Sequence, residues 1–209
     1  MAALSLPLSR SLRGAAAALG MLALAAPAGA AGSGDPDWPC IQRRVDHLSL
    51  AVMWPLPLAE EPPALSPDLA ALGAQLALRR LSEEEMRALV EEAAARHSDL
   101  TPEAWGEVFR IAFERIDRER ARIIGGIVRY ARNQARLARE IEDLRAEMRS
   151  LEAAAEPDFD RMDEVEEGLD WRTRLFADRD RALTYVCESP VLLEQHAYAV
   201  AQMILPHAR

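Results

Sequence analysis

PEAWGEVFRIAFERIDRERARIIGGIVRYARNQARLAREIEDLRAEMRSLEAA, residues 102–154, is the stretch on which the fold turns. Apolar side chains recur in it at alternating steps of four and three. The row is Phe109, Phe113, Ile116, Ile123, Ile127, Tyr130, Leu137, Ile141, Leu144, Met148 and Leu151, with Arg120 and Gln134 as its two polar members. A seven-residue repeat of this kind places one apolar stripe along a helix and asks for a partner helix. Thr101-Pro102 marks its start, a hydroxyl N-cap followed by proline at the first helical position.

The partner follows directly. Glu156-Pro157-Asp158 breaks the helix, and the repeat resumes with Met162, Val165, Leu169, Phe176, Leu183 and Val186 over a second helix of about 159–187. A short turn between two such segments makes an antiparallel hairpin. A turn centred near Glu156 sets Leu144 opposite Leu169, Leu137 opposite Phe176, and Gln134 beside Arg179 as a polar layer. Arg172 and Arg179 fall at seam positions, so the apolar face there is expected to shift toward Leu175 and Ala182. Between about 140 and 170 the residues off the seam are charged or small, which reads as a bare two-helix tip.

Nearer the base the first helix carries a second apolar row: Ala121, Ile124, Val128, Ala131, Ala135 and Ala138. A helix apolar on two faces needs a second neighbour. Two segments can supply it. Ser189-Pro190 opens an expected helix of 190–205 that is apolar on most sides, and it contains His196, read as a satisfied core histidine. Residues 31–66 form a proline-rich strap. Within the strap, Ile41–His47 is expected as a short helix, and Leu48, Leu50, Val52 and Trp54 alternate as extended chain. Trp38 and Trp54 anchor it, and Trp171 is also expected to pack. Ser66-Pro67 and the Ser82–Glu85 capping box start two further helices, about 67–80 and 83–97. The fold class is all-α: a long antiparallel coiled-coil hairpin (102–187) packed at its base against shorter helices and the N-terminal strap, the bundle spanning 67–209.

Residues 1–30 read as a secretory signal peptide. Arg10 and Arg13 precede an alanine-rich run that ends at Ala28-Gly29-Ala30. The expected location is the periplasm or outside the cell, with membrane contact only if that segment is retained. Cys40 and Cys187, the two cysteines, are then expected to form a disulfide. The net charge is -9, and removing two arginines with no acid takes it to -11. That balance argues against nucleic-acid binding. Lysine is absent.

Arg115, Arg118, Arg122, Arg129, Arg132, Arg136 and Arg139 line the helix face opposite the seam, spread over about 36 Å. They are the expected partner-binding residues, since the guanidinium fork suits carboxylates and other anions. Gly125 interrupts that row, and Gly125 and Gly126 are expected to admit close approach of a neighbouring helix. The acidic run Asp158, Asp160, Asp163, Glu164, Glu166 and Glu167 reads as a solvated face. His47, His97, His196 and His207 show no ligand spacing, and no nucleophile elbow, phosphate loop or dinucleotide fingerprint occurs. No catalytic residue, metal or cofactor is therefore expected. The expected function is a binding or scaffold protein, adaptor- or chaperone-like, presenting its hairpin and arginine face to a protein partner in the cell envelope. A helical-bundle sensor or carrier for a small ligand is the alternative. Self-association through the seam is a further use of such a repeat.

Overall fold

The structure is a computed structural model that describes Asp35 and residues 37–209. The expected signal segment and the first residues of the strap lie outside the described residues. The described chain is all-helical: α1 (Leu50–Met53), α2 (Pro67–Leu76), α3 (Glu83–Arg96), α4 (Pro102–Glu152), α5 (Phe159–Ile204) and a closing 3-10 turn, Leu205–Ala208. Two elements dominate, α4 with 51 residues and α5 with 46, packed antiparallel. Among the described residues no helix is long and apolar enough to cross a membrane.

The helix starts follow local chemistry. Thr101 Oγ1 accepts from the Ala104 amide at 3.3 Å, with Pro102 behind it. Ser82 and Glu85 close a reciprocal capping box, with the Ser82 amide donating to Glu85 Oε2 at 2.7 Å and the Glu85 amide to Ser82 Oγ at 3.2 Å. Ser66 precedes Pro67 as expected, but its hydroxyl donates to Asp68 instead of capping an amide. After the turn, Asp158 accepts from the Arg161 amide at 3.0 Å and starts α5.

The end of α5 differs from the expected break at 187–190. Pro190 lies inside one continuous helix and is buried. Proline removes an N–H and crowds the carbonyl four residues earlier, at a cost of about 3 kcal/mol in a helix interior. Carbonyls on either side of the freed position take side-chain donors. Gln42 Nε2 donates to the Cys187 carbonyl, Ser189 Oγ to Tyr185 O at 3.4 Å, and Arg120 Nε to Pro190 O at 3.3 Å. Tertiary contacts thus override a local stop signal, and the expected 159–187 and 190–205 helices are one.

The seam of α4 is driest toward the base. Phe109 and Ile127 are fully buried, Ile116 is 1% exposed, and Leu137, Ile141 and Val165 remain buried farther out. Toward the turn Leu144, Met148 and Leu151 are half-buried, as a two-helix section requires. The register is close to the expected one but not identical. Gln134 Nε2 donates to Phe176 O at 3.2 Å, and the Tyr130 hydroxyl donates to Arg179 O. The expected Gln134–Arg179 layer is therefore displaced by about one turn. Leu175 is half-buried but Ala182 is exposed, so the apolar face of α5 shifts less than expected. Arg172 leaves the seam, its Nε reaching Glu140 at 3.5 Å.

At the base, α2, α3, the first turns of α4 and residues 193–208 form one apolar cluster with Trp54 of the strap. Trp54 stacks on Phe109, ring centroids 5.0 Å apart. Gly73 and Gly106 are where backbones come close. A Cβ on Gly73 would sit 2.7 Å from Val108 O, and one on Gly106 would sit 2.8 Å from Leu58 Cδ2.

The strap supplies the second neighbour of α4. Trp38 and Cys40 cover Ile124, Ile127 and Val128, and Cys40 is disulfide-bonded to Cys187 with Cα atoms 5.6 Å apart. Closing a loop over 147 positions restricts the unfolded chain by about 5 kcal/mol in the chain-entropy account. Two details of the strap depart from expectation. Residues 41–47 are bent and not helical, with Ile41 98% exposed. The helical turn falls instead at Leu50–Met53, which rotates Val52 outward and Met53 and Trp54 inward.

Candidate docking face

All seven arginines from Arg115 to Arg139 are exposed on α4. Their occupation by acids is uneven. Arg118 reaches Glu114 at 3.5 Å, Arg122 pairs with Glu119, and Arg136 pairs with Glu140 at 3.0 Å. Each of these is an exposed pair three or four residues apart, worth only a few tenths of a kcal/mol. Among the described residues Arg115, Arg129 and Arg139 form no ion pair.

Arg132 is bound from another element. Asp37 of the strap accepts from its Nε and Nη2, both at 2.7 Å. The pairing with Asp37 pushes the Arg132 guanidinium further up from its ordinary range. Asp35 stands beside this contact. The Asp37 amide and then Arg44 hold its carboxyl below the usual aspartate value, with a smaller Coulombic contribution from Arg132. The chain itself therefore sets an acidic turn on one member of the arginine row, a contact the α4 sequence alone could not disclose.

Gly125 and Gly126 do not perform the expected role. Among the described residues no neighbouring helix comes within 4 Å of a Cβ built on either; the nearest group is the Arg129 guanidinium, at 3.4 and 3.9 Å. The missing side chains leave room for the Arg129 guanidinium to lie back along its own helix. Trp171, expected to pack, is 64% exposed on α5.

Arg120, the seam's basic member, is buried at 5% exposure and joins three elements. Its Nη1 donates to the strap carbonyl of Val45 at 2.5 Å, its Nε to Pro190 O at 3.3 Å, and Nη2 lies 3.7 Å from Glu194. One turn earlier Asp117 accepts from the Leu48 amide and contacts His47 Nδ1, both at 2.8 Å. A break in an apolar repeat was the sequence signal for Arg120; nothing local flagged Asp117. His196 Nε2 donates to Leu76 O at 2.8 Å, so the proton sits on that nitrogen and α2 gains a partner for its last carbonyl.

Two further placements bear on the site. Between α4 and the last turns of α5, where a ligand cavity was one expectation, Phe109, Phe113, Leu193, Ala197 and Val200 belong to one packed cluster at 0–6% exposure. The acidic positions 158–167 are exposed near the turn, and among the described residues no three His, Cys, Asp or Glu side chains gather to hold a metal ion.

No family model matches the chain, and neither a curated protein nor a solved structure matches it. What its own geometry defines is a class: an all-α protein with a disulfide-tied helical hairpin that carries a row of exposed arginines.

Proposed function

We propose that this protein is an exported scaffold of the periplasm or extracellular space that docks an acidic protein partner of the cell envelope along α4. The carrying observation is the seven-arginine face, three of whose members lack an acid among the described residues. The Asp37–Arg132 contact supports the chemistry, since it is an acidic segment already seated on that face. An export signal in the sequence and the Cys40–Cys187 disulfide support the compartment, where thiols oxidise. Guanidinium groups fixed every turn on a helix favour a partner with carboxylates at similar intervals. Such rim charges govern recognition and encounter rate more than raw affinity.

The test is capture from envelope extracts with the full chain and with an Arg129→Glu, Arg136→Glu, Arg139→Glu variant. The reading expects the variant to lose the partners that the parent retains at low salt. Capture of the same partners in the same amounts by both would overturn it.

A further inference from the structure

We propose that the groove between the end of α2 and α4 receives the acidic hairpin tip of a second copy of this chain, so that copies associate head to tail. The inference rests on the docking reading of the arginine face and names one occupant for its base end.

The groove is open to solvent and holds about 560 Å³. Ala74, Ala77 and Leu78 form its apolar part, and Arg79, Arg115, Arg118 and Arg122 supply its charge against the single acid Glu119. Arg79 and Arg115 form no ion pair among the described residues, and Arg118 has only the 3.5 Å contact to Glu114. The site is concave, cationic and under-paired.

The opposite charge lies on the same chain. Asp163, Glu166, Glu167 and Asp170 line a shallow depression on α5 with Arg174 as the one cation. Asp163, Glu166 and Glu167 form no ion pair among the described residues, and Asp170 stands 3.9 Å from Arg174. The two rows match in pitch. Arg115, Arg118 and Arg122 lie at steps of three and four; Asp163, Glu166 or Glu167, and Asp170 do the same. Each spans about 10.5 Å of helix. Two such helices laid together bring one opposite pair into register per turn. Contact relieves like-charge repulsion within both patches at once.

The patches are different surfaces, so the contact is heterologous: every added copy leaves one groove and one tip free. Assembly then grows with concentration and does not stop at a dimer. It also weakens with salt, because every group involved is exposed and screened.

Sedimentation velocity of the full chain tests this. The parent is expected to gain mass with concentration at about 20 mM salt and to return to monomer at about 0.5 M. Arg115→Glu with Arg118→Glu, and separately Asp163→Arg with Glu167→Arg, should each weaken association at least about tenfold. Mixing the two variants should restore it, since the reversed groove of one fits the reversed tip of the other. Circular dichroism checks that each variant stays folded. A parent that remains monomeric at low salt, variants that assemble like the parent, or a mixture that stays monomeric would each overturn the proposal. Loss of envelope-partner capture by the groove variant, in a system where the mixture does not assemble, would sink self-association and leave the docking reading standing.

Discussion

Replacing Arg120 separates two opposed energies at one position. The guanidinium is buried, and holding a cation out of water costs several kcal/mol unless hydrogen bonds offset it. It donates to Val45 O at 2.5 Å and to Pro190 O at 3.3 Å, while the 3.7 Å contact to Glu194 adds little because that carboxylate's side chain is 51% exposed. A hydrogen bond from a charged donor contributes about 1.5–3 kcal/mol. Arg120→Met keeps most of the stem's packing and loses both bonds, so with part of the desolvation cost returned it should destabilise by about 2 kcal/mol. Arg120→Ala also opens a cavity under the strap and should reach about 4 kcal/mol. For a domain of this size those values correspond to Tm losses of about 4–8 and 8–16 °C. Urea unfolding followed by circular dichroism gives the free energies, and hydrogen exchange at Val45–Leu48 reports whether the strap loosens first. A methionine variant as stable as the parent would refute the reasoning, because burial of the charge would then fully offset everything the charge binds.

Two other perturbations follow from the geometry. Gly125→Ala should stabilise by about 1 kcal/mol through helix propensity, since its Cβ meets only the mobile end of Arg129, whereas Gly73→Ala should destabilise by about 1–3 kcal/mol by pressing on Val108 O and Ile111; urea midpoints of opposite sign check the pair. Asp68 is held below the ordinary aspartate value, to about 2, by the Ser66 hydroxyl and then by His97, whose Nε2 lies 2.7 Å away. A depressed carboxylate adds stability above its unfolded value, 3.8, and that contribution disappears as pH falls through about 2. Asp68→Asn should therefore differ from the parent in urea midpoint by a near-constant amount between pH 3.8 and the ordinary imidazole range of about 6.5, and the two curves should converge toward about pH 2.

What the sequence disclosed was whatever repeats or acts locally. The α4 heptads, the Ser82 box, the Thr101 cap and the cysteine pair each carry their cause within a few residues or in a count. The strap's role was legible from the other side, because Ile124 and Val128 formed a second apolar row with no partner on their own helix. The departures share one physical origin. Pro190 lies inside a helix whose carbonyls at Cys187 and Pro190 take donors from Gln42 and Arg120, both distant in sequence. Val52 faces out because Asp117 fixes the Leu48 amide just before it and a helical turn then replaces the alternation. Glycines at 125 and 126 carry no mark of whether another helix or an arginine will occupy the space they leave. In the proposed docking face the arginines of α4 were visible, while Arg79 and Asp37 join from other elements and were not.

These distant contacts converge on a short part of α5. Cys187, its carbonyl, Pro190 and Glu194 are all held from the strap or from Arg120. They lie where the second long helix leaves the apolar base cluster and begins to run beside α4 alone. A proline there would otherwise weaken α5 where it leaves the base. Bridging it with a disulfide, a buried guanidinium and a glutamine amide turns the weak point into a joint. The same strap places Asp37 on Arg132, so the segment that fixes the joint also occupies one arginine of the row. Under the docking function proposed above, fixing of this kind matters, because the face would recognise charge spacing. A face of exposed ion-pairing groups gains little from each contact, and its selectivity depends on several being presented at a constant interval. Under the proposed docking function, loss of the tether should therefore blunt partner capture before it unfolds the base.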